Sequence, residues 1–316
     1  MAEVRVFAGS AGQRFAQKMC ADLGVPLSPA EITRFANDCL QAQLMENCRE
    51  RDVFLVQPVI TPTQENLMEL LLMIDAAKGA SAQRITAVMP HFAYARSDKK
   101  DAPRISIGGR LVADLLETAG AGRILTMTLH APQVHAFFRV PTDQLNALRE
   151  LASHFTSNDL SKTTVVSPDL GNAKPASTFA KMLGVPVAAA AKERFNDNRV
   201  EITSLIGDVG GRDIIVLDDE VAGGTTIAAL MDLLREHGAR SVRIACTHGI
   251  FAGDALYRIA ADPDVVEIVT TDTVPSTELM AHDKLTVISV ASAFAEAVRR
   301  IHSGESVSAL FDPTHV

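Results

Sequence analysis

The sequence contains no cysteine pair at C-x-x-C spacing. Its four cysteines, Cys20, Cys39, Cys48 and Cys246, stand far apart, which argues against a zinc ribbon or a disulfide framework and points to a reducing compartment. A long apolar run is missing as well. The opening MAEVRVFAGSAGQRFAQ has no apolar h-region, and the uncharged stretch Leu285 to Ala295 is too short to cross a bilayer. A cytoplasmic location is therefore expected, with no membrane partner. Positive charge is in deficit, since 30 Lys and Arg face 38 Asp and Glu for a net charge of −8. That balance argues against broad attraction to nucleic acid or anionic membrane and leaves room only for a local basic site. Glycine (19) and proline (14) stand at ordinary levels in 316 residues, which excludes collagen-like and linker-rich classes. No short-period repeat or low-complexity tract is found, which argues against a solenoid.

What is present is a globular α/β pattern. A chain of 316 residues suggests two domains or one large one, and 47% hydrophobic residues suffice to fill such cores. Short β-branched runs recur at Val4 to Phe7, Val53 to Gln57, Ile85 to Met89, Ile124 to Thr128, Thr164 to Ser167, Ile214 to Leu217, Val242 to Cys246 and Thr286 to Val290. They read as buried parallel strands. Between them lie amphipathic segments. Gln64 to Lys78 aligns Leu67, Leu70, Leu71 and Ile74 on one face, and Ile227 to His237 aligns Ile227, Leu230, Leu233 and Leu234. Gly79 and Gly238 follow these helices as expected C′ residues. Alternating strand and helix predicts α/β layers, in two sheets if there are two domains. The polar, turn-rich stretch Arg149 to Thr163 is the best boundary, giving domains 1–148 and 149–316, with the last helix, about 293–303, packing back on the first.

The most informative segment runs from Ile214 through Asp218, Asp219, Ala222, Gly223, Gly224, Thr225 and Thr226 to Ile227: an apolar strand, two carboxylates, a small-residue loop and a helix. Glycines let backbone N–H groups approach an anion, threonine hydroxyls add donors, and the helix N-terminus favours negative charge. Two carboxylates at the carboxyl end of a strand can accept hydrogen bonds from vicinal hydroxyls or reach a cation. The segment suits a phosphorylated sugar. A tight strand-to-helix turn with an Asx cap fits the same residues.

This pattern looks like the ribose phosphate loop of the type I phosphoribosyltransferase fold, and the rest of the chain resembles the ribose-phosphate pyrophosphokinase (phosphoribosyl pyrophosphate synthetase) family, as a divergent member. The matching segments run in order: Val6–Ser10, Asn66–Leu70, Arg84–Val88, Tyr94–Asp98, Leu129–Gln133, Ser167–Asp169, Thr247–His248 and Glu296–Ile301. The resemblance implies an α/β chain of two tandem type I phosphoribosyltransferase-like domains, each a mostly parallel sheet flanked by helices. The implied activity moves the β,γ-diphosphate of ATP onto the anomeric hydroxyl of ribose 5-phosphate, with Mg2+, releasing AMP.

The resemblance also implies roles for single residues. Lys192 is the implied catalytic lysine and Arg194 its partner; cations at i and i+2 share one side of an extended segment and stabilise charge on a transferring phosphoryl group. His130 and Asp169, each just after a strand, are implied metal contacts, His130 also touching ATP. Phe35, Asn37, Asp38 and Cys39, with Arg96 and Ser97, are implied to hold ATP: Phe35 stacks on adenine, Asn37 reads its edge and Arg96 pairs with phosphate. His91, His135 and His248 read as structural. The stretch Lys99 to Arg104 corresponds to a loop that serves ATP binding and, in many members, regulation by phosphate and nucleotide; a solvated charged turn is its plainer reading. In the family the Phe-containing loop reaches a neighbouring subunit, which implies a homo-oligomer, commonly a hexamer built from dimers.

Several positions depart from the family's pattern. The usual Asp-Thr-Gly-Gly-Thr is Ala222 to Thr226 here, the Asp two before the histidine is Thr128, the usual Gly-Glu of the adenine loop is Asp38-Cys39, and the catalytic loop's first Arg is Glu193. The usual Gly-Gly and Arg-Ala positions after Asp169 read Gly171 to Ala176. Two other readings stay open: a non-catalytic homologue that binds nucleotide or sugar phosphate, and a phosphoribosyltransferase acting on a preformed diphosphate donor.

Overall fold

A computed structural model describes residues 3–196, 199–275, 277 and 280–310, with backbone alone at 192–196, 199–203 and 309. The chain divides into two compact units. The first comprises the residues up to Leu145 and takes back the C-terminal segment that begins at Val290. Its elements are β1 (Val4–Ala8), α1 (Gln13–Leu23), β2 (Ala30–Arg34), β3 (Leu40–Leu44), β4 (Asp52–Val56), α2 (Thr63–Gly79), β5 (Arg84–Met89), α3 (Gly108–Ala119), β6 (Arg123–Met127) and β7 (Thr142–Leu145). The main sheet has the order β1-β4-β5-β6-β7, and every pair in it is parallel. Continuous apolar runs explain this. Val53, Phe54, Leu55 and Val56 are sealed from solvent on both faces, as strands covered by helices on each side must be, and each such side chain contributes roughly 1.5–3 kcal/mol.

Helix α2 buries Leu67, Leu70 and Ile74 as expected, together with Asn66 and Glu69, which apolar periodicity does not single out. These two polar residues belong to a satisfied network. Ser10 donates from its N–H and Oγ to Glu69 at 2.8 and 2.9 Å, and Gln57 Nε2 donates to Glu69 Oε2 at 2.8 Å. The helix also runs through Gly79, which is not its C′ residue; the left-handed residue beyond it is Ser81, at φ 62°. Strands β2 and β3 form a separate antiparallel hairpin, whose Ala30, Ile32, Ala42 and Leu44 pack on the core of this unit.

The second unit contains α4 (Leu148–Phe155), β8 (Thr163–Ser167), α5 (Ala173–Leu183), β9 (Val187–Asn196), β10 (Arg199–Ile206), β11 (Asp213–Val221), α6 (Thr225–Glu236), β12 (Ser241–Gly249), α7 (Ala255–Ala260), β13 (Val265–Thr271) and β14 (Leu285–Ile288). Its sheet has the order β10-β9-β8-β11-β12-β13-β14. Only the β9–β10 edge pair is antiparallel. The polar stretch at the expected boundary begins as helix α4, which buries Leu151, Ala152 and Phe155. Gly238, at φ 75°, takes the left-handed conformation just past α6. Helix α8 (Ala291–Ser303) belongs to the first unit, where Phe294 meets Phe15 of α1 edge-to-face with ring centroids 5.1 Å apart.

The second unit has a topological switch point. From β8 the chain passes through α5 to β9 on one side, then returns to lay β11 against the other side of β8. The segments leaving β8 and β11 therefore diverge at their carboxyl ends, where open α/β sheets form ligand crevices.

Candidate active site

Strand β11 is longer than the apolar run that predicts it. Its pairing with β8 ends at Val216↔Val166, whereas its pairing with β12 continues through Asp218↔Cys246 to Val221↔Gly249. Beyond Val216, β11 thus runs on past its last pairing with β8, at the switch point. Asn172, at the start of α5, takes over the first open position, donating from Nδ2 to Leu217 O at 2.7 Å. The same residue's N–H donates to Asp169 Oδ1 at 3.0 Å, and Ser167 Oγ donates to Asp169 O at 2.6 Å. Asp169, Asp218 and Asp219 are all half-buried here, and Asp219 N–H donates to Asp218 Oδ1 at 2.9 Å. The carboxyl of Asp218 is pushed well above the usual carboxylate range, by burial first and then by the charges of Asp219 and Asp169. Three expected site residues are therefore close enough to act on one another.

The loop Ala222 to Thr226 turns from β11 into α6. Its outer side is tied down at successive carbonyls. Val221 O accepts from the N–H groups of Ile250 and Phe251 at 3.0 and 3.1 Å, Ala222 O from Ala252 N–H at 3.0 Å, and Gly223 O from Arg258 Nη2 at 2.8 Å. Gly224 is left-handed, at φ 75°, and a Cβ there would lie 3.0 Å from Ile259 Cδ1. Thr225 and Thr226 form the first turn of α6, whose backbone N–H groups have no intrahelical acceptor.

In the first unit, Phe35 to Cys39 form the tip of the β2–β3 hairpin. Phe35 N–H donates to Cys39 O and Asp38 N–H to Phe35 O, both at 2.9 Å, with Asp38 left-handed at φ 71°. Asn37 Oδ1 accepts from Cys39 N–H at 3.2 Å. Phe35 stands 48% exposed at this tip. The charge of Arg34 is shared by Asp38 and Glu65. Arg96 ends a single 3₁₀ turn, Ala93–Arg96, and is exposed. Ser97 has a definite structural partner: its Oγ accepts from Gly108 N–H at 2.8 Å and its carbonyl from Gly109 N–H at 2.9 Å. It thereby closes the base of the loop that carries Lys99 to Arg104. His130 is exposed after β6, between buried Leu129 and Ala131.

Lys192 and Arg194 lie on β9, in backbone register with Ile202 and Val200 of β10; their side chains lie outside the described residues. His91 bonds to Val59 O at 3.2 Å and His135 to Thr142 O at 2.7 Å, while His248 is buried. All four cysteines are free. Burial pushes the Cys20 thiol up to about 11 and Cys246 up to about 12, which makes both poor nucleophiles. Sequence reasoning missed Arg258 and the bridging role of Asn172. An Asn at a helix start was a legible cap signal, but its Leu217 partner was not.

A tandem of two parallel-sheet α/β units, the second with paired aspartates and an anion-ready loop at its switch point, defines a phosphoribosyltransferase-like protein. Residues 4–120 match the N-terminal domain of ribose phosphate pyrophosphokinase, and residues 159–312 match the phosphoribosyl synthetase-associated domain. A Streptomyces coelicolor chain provisionally named for the same family is 67% identical over 312 residues, covering 99% of this chain and 98% of that one. The ribose-phosphate pyrophosphokinase of Deinococcus radiodurans is 48% identical, with 97% of each chain covered. The crystal structure of phosphoribosylpyrophosphate synthetase from Mycobacterium smegmatis superposes with a TM-score of 0.87 at 38% identity, covering 96% of this chain and 99% of that one. The chain belongs to the ribose-phosphate pyrophosphokinase family.

Proposed function

We propose that the chain is a ribose-phosphate diphosphokinase, making 5-phosphoribosyl 1-diphosphate and AMP from ATP and ribose 5-phosphate. The observation that carries this reading is the β11–α6 segment, with Asp218 and Asp219 beside a loop whose outward carbonyls are tied down, in a chain of this family. The anomeric hydroxyl oxygen attacks the β-phosphorus of ATP. The bond from that phosphorus to the α–β bridging oxygen breaks, AMP leaves with that oxygen, and the hydroxyl proton passes to solvent.

Each site residue has a proposed part. Asp218 and Asp219 accept hydrogen bonds from the ribose hydroxyls, while Ala222, Gly223, Gly224, Thr225 and Thr226 hold the 5-phosphate through N–H and hydroxyl donors. Phe35 stacks on adenine, Asn37 reads its edge, and Asp38 and Cys39 complete that turn. Arg96 and His130 meet ATP, Arg96 at its phosphates, and Ser97 keeps the loop base in place. Lys192 and Arg194 stabilise charge on the transferring diphosphate.

Mg2+ fits the donor chemistry of the crevice. Carboxylate oxygens are what this ion takes, and beside the burial that chiefly raises Asp218, the charges of Asp219 and Asp169 add a repulsion that a cation relieves. Among the described residues, no group of three or more His, Cys, Asp or Glu is placed to hold an ion alone. Asp169 and His130 are the proposed contacts, and the bound ion would neutralise charge on the ATP phosphates. A homo-oligomer built from dimers, up to a hexamer, is proposed as the family resemblance implies, with Phe35 at the hairpin tip as the residue that would reach a neighbouring subunit. A cytoplasmic location is proposed on the four free thiols; among the described residues no helix is long and apolar enough to cross a membrane.

Phosphorus NMR of the purified chain with ATP, Mg2+ and ribose 5-phosphate tests the reading, run with and without inorganic phosphate. AMP and a new sugar diphosphate are the expected products. ATP left unchanged over hours by a chain that still binds it would refute the proposal.

A further inference from the structure

The loop that the proposed function gives to the 5-phosphate offers no side-chain donor at Ala222, Gly223 or Gly224, so its contribution there depends on where its peptide groups point. Those peptide bonds are trans, and across a trans peptide the C=O and the following N–H point in opposite directions. The carbonyls of Val221, Ala222 and Gly223 all point outward to named donors. The N–H groups of Ala222, Gly223 and Gly224 therefore point the other way, and among the described residues no acceptor takes those of Gly223 and Gly224. Backbone donors supply the first two of these outward bonds. The third comes from a side chain, Arg258, which reaches Gly223 O at 2.8 Å while its Nε is held by Asp254 Oδ1 at 2.7 Å.

We propose that Arg258 is a positioning residue for the sugar phosphate: with its fork fixed on Asp254, it holds the Gly223 carbonyl outward and so aims the Gly224 N–H at the ligand. The inference rests on the proposed diphosphokinase reading, and it deepens it by naming a residue outside the loop that sets substrate affinity. Two further observations make the hold specific. A Cβ at Gly223 would meet nothing within 4 Å, so no side chain crowds that residue, and among the described side chains only the Arg258 guanidinium hydrogen-bonds its carbonyl. Helix α7 also carries Ile259 and Ala255 against Gly224, so one short element supports the loop by contact and by hydrogen bond together.

The test uses the full chain and steady-state AMP release, with each substrate varied in turn. Arg258→Met should raise KM for ribose 5-phosphate about 10-fold, the scale of one lost charge-assisted hydrogen bond, and leave KM for ATP and saturated kcat within about 2-fold. Arg258→Lys keeps the charge but cannot bridge Asp254 and Gly223 as a fork, and should still raise KM for ribose 5-phosphate at least ~3-fold. Asp254→Asn, which loosens the fork without removing the cation, serves if Arg258→Met fails to fold and should act in the same direction. An unchanged KM for ribose 5-phosphate in Arg258→Met, or an equal loss for both substrates, overturns the proposal. A lysine variant identical to wild type overturns it too, because the effect would then be one of charge at a distance. Failure of the underlying reading shows separately: wild type would form no AMP, and calorimetry of ribose 5-phosphate binding to wild type and Arg258→Met would still judge Arg258.

Discussion

Replacing Gly224 with alanine is the sharpest probe of the loop, since two independent costs coincide there. The residue sits at φ 75°, and an alanine Cβ would stand 3.0 Å from Ile259 Cδ1 and 3.3 Å from Cγ1. Holding an L-residue left-handed costs roughly 1–2 kcal/mol. The contact adds less, because the end of the Ile259 side chain can swing, so the total is about 1–3 kcal/mol. The neighbouring position is the control. Gly223 has no positive φ, and its Cβ direction is open, so Gly223→Ala should stay within ~0.5 kcal/mol of wild type. Urea denaturation reads both, as a midpoint shift at constant m. The KM for ribose 5-phosphate should rise in Gly224→Ala as the first turn of α6 adjusts. Equal stability of Gly224→Ala and wild type, or equal damage from both alanines, would refute the argument from backbone conformation.

Three other outcomes follow from the same residues. Lys192→Ala should lower turnover by ~10²-fold or more while ribose 5-phosphate binding stays intact, and single-turnover kinetics with calorimetry separates the two; unchanged turnover removes Lys192 from the chemistry. Asp213 is held below the ordinary carboxylate value of 3.8 by its hydrogen bond from Arg240, then from Ser241. A depressed folded value means stability that is complete above the unfolded value and lost as pH falls through the folded one. Arg240→Gln should therefore flatten the acid limb of the urea midpoint below about pH 4 and leave the neutral slope alone; an unaltered acid limb would show that the pair carries no linkage. Chelation of Mg2+ should abolish AMP formation, with recovery on adding MgCl2, and turnover that survives exhaustive chelation would remove the metal from the proposal.

The parts of the fold that could be read from sequence are those governed by local pattern. All eight apolar runs overlap strands. The central ones, such as Asp52–Val56 and Thr163–Ser167, are buried throughout and announce themselves without help from their neighbours, whereas the last, Leu285–Ile288, is half-buried and stops short of Val290. The rest needed tertiary partners. The Ala30–Arg34 and Leu40–Leu44 strands alternate half-buried and exposed residues, a weaker signal that only the core beneath them resolves. Val265–Thr271 is interrupted by Glu267, whose charge meets His154 and Arg243. Thr142–Leu145 is short and polar, and it is held as a strand by its register against Ile124 to Met127. The paired aspartates and the glycine loop were legible in full, since adjacent residues cannot avoid being neighbours. Asn172 on Leu217 O and Arg258 on Gly223 O were not, as each joins segments separated by 45 or 35 positions.

The departures from the family's pattern fall differently once the loop's hydrogen bonds are known. Ala222 and Gly223 remove a carboxylate and a hydroxyl, yet the direction of the loop's N–H groups is set by bonds on the opposite side, from Ile250, Phe251, Ala252 and Arg258. An anion site built from main-chain donors loses little when such side chains go. In the proposed reading the loss of the carboxylate also removes a like charge from beside the phosphate dianion. The cost falls on the sugar. With no carboxylate in the loop, hydroxyl recognition in the proposed reading rests on Asp218 and Asp219. Each carboxylate carries two acceptor oxygens, so the pair can still accept from two vicinal hydroxyls. In the proposed reading phosphate holding passes to the backbone and sugar recognition to the paired aspartates, and on that division of roles the substitutions inside the loop are compatible with the proposed activity.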